Sequence, residues 1–273
     1  MTSRWTTLSG SSIGSVHVRD QLPLQDAVLT WADADGSQAV VAVADGHGHR
    51  LHFRSDTGAA LAVVSAVEGL RRALPAIGAL QGDDRREQAT TVLRDAAAAI
   101  VDGWTDKVGH HLEAHPYSAA EEAQGAASDA LRAYGSTLIA AAVVDDLLLF
   151  LQIGDGDTVL VSAEGVASRP LPEDPDHDGV HTSSLCQPRP LDALRLACLE
   201  TTDAPVGLVF LCTDGFGRSR VDADGWWRRT GEQLLAFSRE RGLAWVGEQL
   251  DEWLAEPALI GGDDTTMALL VRL

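Results

Sequence analysis

The chain has 273 residues and is 45% hydrophobic, enough for a sizeable core and too apolar for a disordered protein. Its formal net charge of -19 excludes a nucleic-acid binder, which needs a basic surface. The three cysteines, Cys186, Cys198 and Cys212, lack metal-ligand spacing, and their sparse, odd count fits a reducing compartment.

Residues 1–15 contain no apolar signal core, and no stretch is long and uncharged enough to span a bilayer. This reads as a soluble, cytoplasmic protein without a membrane partner. Residues 27–32 and 38–44 flank the turn Asp33-Ala34-Asp35-Gly36, which predicts a hairpin. Helical spacing follows over 57–74 and again over 83–112, where Pro116 ends it. A third, Ala-rich helix is expected over 118–133. His110 and His111 are expected to face solvent.

Strands are expected at 136–144, 147–153 and 158–162, as a meander of neighbours joined by turns at Asp145-Asp146 and Asp155-Gly156. Residues 168–190, rich in Pro, Asp and Ser, read as an exposed loop or flap. His177 and His181 and the acidic run 173–178 fall in it. Strands at 191–199 and 207–212, an amphipathic helix over 231–254 and a closing strand at 265–271 complete the chain. Trp226 and Trp227 read as packing residues. Hairpins without regular crossover helices indicate an α+β fold, with helices packed outside antiparallel sheets. No internal repeat or linker divides the chain, which reads as one domain over 1–273.

Four aspartates stand at the ends of the apolar runs. Asp45, Asp155 and Asp214 are each followed by glycine, and Asp263 precedes the last run. Asp-Gly at a strand end is by itself only a turn signal. Four such carboxylates at one rim of a sheet cannot all stay ionised without a cation. Oxygen ligands of this kind suit Mg²⁺ or Mn²⁺. Two such ions lower the pKa of a shared water and neutralise a phosphate under attack.

Four segments carry a family resemblance: DGHG at 45–48, GSTL at 135–138 followed by IGDGD at 153–157, LCTDGFG at 211–217, and DDTTMALL at 263–270. In this order and spacing the chain resembles the metal-dependent protein phosphatases of type 2C, in a bacterial branch, over nearly its whole length. The resemblance implies a four-layer α-β-β-α sandwich of two packed antiparallel sheets. It also implies a hydrolase that removes phosphate from phosphoserine or phosphothreonine in proteins, opposite a serine/threonine kinase, by attack of a metal-bridged hydroxide.

Carried over residue by residue, Asp45 bridges both ions and the Gly46 carbonyl ligates the second. Asp214 and Asp263 hold the first ion, and Asp155 with Asp214 offers a weaker third site. Asp26, Gln25 and Asp264 support the ligands from behind, and His47 protonates the leaving oxygen. His17 is expected to partner Asp26.

The segment HVRDQLPLQDA, residues 17–27, departs from the pattern. Gln25 stands where the family has Glu. Arg19, the expected phosphate-binding residue, lies two positions early, with Arg4 and Arg50 as substitutes. These departures leave open a second function, a catalytically weak phosphatase-like module that regulates or binds phosphoproteins. A purely structural Ca²⁺-binding domain is a third.

Overall fold

The computed structural model describes residues 4–124, 129–172, 182–202, 205–220, 222 and 225–273. Two five-stranded antiparallel sheets form the middle layers. One is built, in spatial order, from β2 (Ala27–Ala32), β3 (Gln38–Ala44), β4 (Leu138–Val144), β5 (Leu147–Ile153) and β8 (Arg195–Glu200). The other orders β1 (Trp5–Ser12), β10 (Thr265–Arg272), β9 (Val206–Cys212), β6 (Asp157–Ser162) and β7 (Ala167–Ser168).

The two-residue period of a strand sorts each apolar run onto two faces. In β3 and β4, Val41, Val43, Ile139 and Ala141 turn inward against Val209, Leu211, Ala268 and Leu270 of the opposite sheet. Their alternates, Val40, Ala42, Leu138 and Ala140, face outward onto α2 (Ser55–Gly78) and α3 (Arg85–Ala114). The other sheet turns Val159, Phe210 and Leu269 outward onto α6 (Trp226–Glu240) and α7 (Leu243–Gly261). The result is the expected four-layer α-β-β-α sandwich. Trp226 and Trp227 are buried in its outer core, as their packing role requires.

Several local expectations are corrected. The strand at 158–162 does not continue the meander: β6 pairs with β9 and β7 in the opposite sheet. The turn before it carries the chain across, and Gln152 holds it by donating from Nε2 to the carbonyls of Gly154 (3.2 Å) and Gly156 (2.6 Å). The helix expected over 231–254 is two helices, because Gly242 takes φ +83°, a left-handed conformation that few side chains tolerate. Of the Ala-rich helix expected over 118–133, the described residues show α4 (Ala119–Ala123), started by a Ser118/Glu121 capping box, and a 3₁₀ turn at Arg132–Tyr134. The strand expected at 191–199 begins only at Arg195, after a 3₁₀ turn at Pro190–Ala193.

Within the 168–190 segment, Ser168 pairs in β7, and Ser184 and Leu185 are buried. His177, His181 and the acidic run 173–178 lie outside the described residues. His111 is half-buried rather than solvent-facing, with Nδ1 2.9 Å from the Tyr134 hydroxyl. Among the described residues, no helix is long and apolar enough to cross a membrane.

Candidate metal centre

Antiparallel pairing brings the aspartates to one rim. β3 and β5 both flank β4 and therefore run in the same direction, so Asp45 and Asp155 leave their sheet at the same edge. β10 starts beside the end of β9, which places Asp263 next to Asp214. The two rims meet at the Asp45 and Asp214 carboxyls, which lie close enough to shift each other's protonation. Asp214 also opens the short helix α5 (Asp214–Arg218).

The backbone around Asp45 is fixed from both sides. Its N–H donates to Thr137 Oγ1 (2.9 Å) and its carbonyl accepts from the Thr137 N–H (2.9 Å). Gly46 bridges to Ser136 and donates its N–H to the Gln25 carbonyl (3.1 Å). A Cβ at Gly46 would lie 2.6 Å from the carbonyl oxygens of both Gln25 and Ser55, so only glycine fits this approach.

Asp26, Asp264 and Gln25 make buried hydrogen bonds beside the rim aspartates. Asp26 Oδ2 accepts from Thr213 Oγ1 (2.7 Å), which fixes the residue just before Asp214. Asp264 accepts the backbone N–H groups of Gly14 (2.7 Å) and Gln25 (2.6 Å) and donates its own N–H to Asp263 Oδ1 (3.0 Å). His17 stands beside Asp264 and not Asp26, a correction: its Nδ1 is 2.9 Å from Asp264 Oδ2, without hydrogen-bond alignment. The short helix α1 (Ser15–Asp20) carries it there. Gln25 donates from Nε2 to Ser55 Oγ (2.9 Å), leaving its Oε1 buried and unpartnered.

The electrostatics are those of crowded carboxylates. Burial, then the charges of Asp26, Asp214 and Asp263, pushes the Asp45 carboxyl well above the usual range. Burial raises Asp26 in the same way. Asp214 is pushed up to about 6, by burial first and then by Asp155. Asp263 is raised mainly by burial, but its side chain is 47% exposed, so water screens much of the effect. Among the described residues, no three His, Cys, Asp or Glu side chains gather closely enough to form a ready coordination shell.

His47 follows on the same loop, with its ring centroid 4.9 Å from that of His52. Burial, then the neighbouring His52, lowers its pKa to about 4, so the ring is neutral at pH 7. Arg19 is exposed at the end of α1 and forms a two-point pair with Asp20 (2.7 and 2.8 Å). Arg4 donates to the Asp35 carbonyl (3.0 Å) at the far hairpin turn, and Arg50 is exposed.

One participant was not foreseen. Arg218 lies one helical turn after Asp214 and pairs with it (Nη1 to Oδ2, 2.5 Å), while its Nη2 donates to Asp155 Oδ2 (2.7 Å). Its signal in the sequence is the i, i+4 spacing from Asp214, visible only once α5 is known to be helical. Beside it opens a cleft of about 670 Å³ lined by Asp155, Asp157, Arg169, Arg195, Asp214 and Arg218.

The chain matches the protein phosphatase 2C family over residues 13–255. No curated protein matches it. Among solved structures it is similar to PppA, described as a key regulatory component of T6SS in Pseudomonas aeruginosa. Identity there is 18%, coverage is 100% of this chain and 99% of that one, and the TM-score is 0.57. It is similar to the catalytic domain of the serine/threonine phosphatase PstP in complex with two manganese ions (19%, 100% of each chain, 0.57). A third is the S. agalactiae serine/threonine phosphatase (17%, 98% and 99%, 0.60). At these identities the structures speak for the fold. The match over most of its length makes the chain a member of the protein phosphatase 2C family, whose members are serine/threonine protein phosphatases and hydrolases.

Proposed function

We propose that this chain hydrolyses phosphoserine and phosphothreonine in proteins with the help of two divalent ions, Mg²⁺ or Mn²⁺. The observation that carries this reading is buried Asp214 beside half-buried Asp45, with Asp214 Oδ1 unpartnered among the described residues. A buried carboxylate oxygen without a donor is costly, and a hard cation satisfies it. The donor set is all oxygen: Asp45, the Gly46 carbonyl, Asp214 and Asp263 would hold the ions. When bound, the ions supply a water of lowered pKa and neutralise charge on the phosphate.

The rest falls to the chain itself. Asp26, through Thr213, and Asp264, through Gly14 and Gln25, hold the ligand-bearing loops in place. His47 donates a proton to the leaving serine or threonine oxygen. Its ring is neutral at rest, so the approaching phosphate dianion must raise its pKa for it to act as an acid. Arg19 anchors phosphate only if it leaves Asp20. The substrate is a phosphoprotein made by a serine/threonine kinase, and the setting is the cytoplasm.

A second reading is a phosphoprotein-binding module of low turnover. Gln25 favours it, since an amide stands where the resemblance places a carboxylate. Incubation with a phosphothreonine peptide separates the two. Phosphate release supports the enzyme; saturable binding without release supports the module.

A further inference from the structure

The rim of aspartates already contains one cation, and it belongs to the chain. Arg218 joins Asp214 Oδ2 (2.5 Å) to Asp155 Oδ2 (2.7 Å), two carboxylates from different sheets. Thr182 Oγ1 donates to the same Asp155 oxygen (2.7 Å). The side chains of Asp155 and Asp214 are each 7% exposed and that of Arg218 is 61% exposed, so the guanidinium reaches in from solvent onto two buried carboxylates.

An ion joining Asp155 Oδ2 to Asp214 Oδ2 would have to displace the guanidinium that bridges these two oxygens. Such an ion sits about 2.1 Å from its oxygens, and two N–H donors cannot remain on those oxygens beside it. A guanidinium keeps its charge at every accessible pH, and its planar fork suits two carboxylates at once. Tethered one turn from Asp214, it competes as an intramolecular partner, which free millimolar metal matches poorly. The two oxygens of Asp214 are thereby divided. Oδ2 serves Arg218, while Oδ1, buried and unpartnered, remains for an ion shared with Asp45.

We infer that Arg218 closes the third metal position of this chain, so that Asp155 serves as a guanidinium partner and not as a metal ligand. The inference rests on the proposed two-ion reading. It is tested by Mn²⁺ stoichiometry from equilibrium dialysis at millimolar metal, together with anomalous scattering from Mn²⁺-soaked crystals, for wild type, Arg218→Ala and Asp155→Asn/Arg218→Ala. The expected counts are two ions in wild type, three in Arg218→Ala with the new peak against Asp155, and two again in the double variant. Three ions in wild type, or two in Arg218→Ala, overturn the role of Arg218 while leaving the two-ion reading intact. A third ion that persists in the double variant overturns the assignment to Asp155. No bound ion in any of the proteins overturns both.

Discussion

Asp264 and Gln25 are 239 positions apart, and the carboxylate of the first accepts the backbone N–H of the second at 2.6 Å. The same carboxylate accepts from Gly14 at 2.7 Å. Three segments on which the site depends are thus tied at one buried group. Asp264→Ala leaves two buried N–H groups without an acceptor and is expected to cost about 3 kcal/mol. Asp264→Asn keeps an acceptor oxygen and should cost less. Urea unfolding of the three proteins checks the order; equal midpoints contradict it.

Gly46→Ala forces a Cβ to within 2.6 Å of two backbone oxygens, so the Gly46 carbonyl must move. Disturbing a ligand's surroundings typically lowers metal affinity by about 10- to 100-fold. A Mn²⁺ titration of the variant should shift by that factor. An unchanged titration removes the Gly46 carbonyl from the site.

The raised carboxyls make metal-free stability fall with pH. Asp214 titrates at about 6 when folded and at 3.8 as an ordinary aspartate. Between those values the folded chain holds the extra proton, so stability is fullest below the lower value and is lost as pH rises through the upper one. In EDTA the urea midpoint should therefore be higher at pH 5 than at pH 7, with a smaller difference in Asp214→Asn. Mn²⁺ should remove the loss at pH 7. The same slope in Asp214→Asn as in wild type would count against Asp214 as its source.

His47→Ala separates acid catalysis from binding. Nitrophenolate leaves without a proton, whereas a threonine alkoxide does not. General acid catalysis is worth roughly 100- to 10,000-fold, and a ring that is neutral at rest should lie near the lower end. The variant is expected to lose about 100-fold on a phosphothreonine peptide and little on p-nitrophenyl phosphate. Equal losses on both would place His47 in binding or structure.

The sequence disclosed the inner strands well because each is a run of Val, Leu, Ile and Ala buried on both faces. Asp45, Asp155, Asp214 and Asp263 were legible for the same reason, as polar residues where those runs stop. β1 was missed because WTTLSGSS is half polar, an edge strand that β10 holds along its whole length. α1 and α5 were missed because six and five residues are too few to show a period. The crossing of β6 to the second sheet was not legible, since a strand's own pattern does not name its partner. Arg218 followed α5 out of view, and the placement of Arg19 on Asp20 depends on a side-chain direction that spacing alone does not give.

The most direct test is phosphate release from a phosphothreonine peptide by the purified chain, measured in Mn²⁺, after chelation and after Mn²⁺ is restored, with Asp45→Asn alongside. A metal-dependent phosphatase releases phosphate in Mn²⁺, stops on chelation and recovers, and Asp45→Asn falls by about 100- to 1,000-fold. No release in Mn²⁺, release that survives chelation, or wild-type rates in Asp45→Asn would contradict that function.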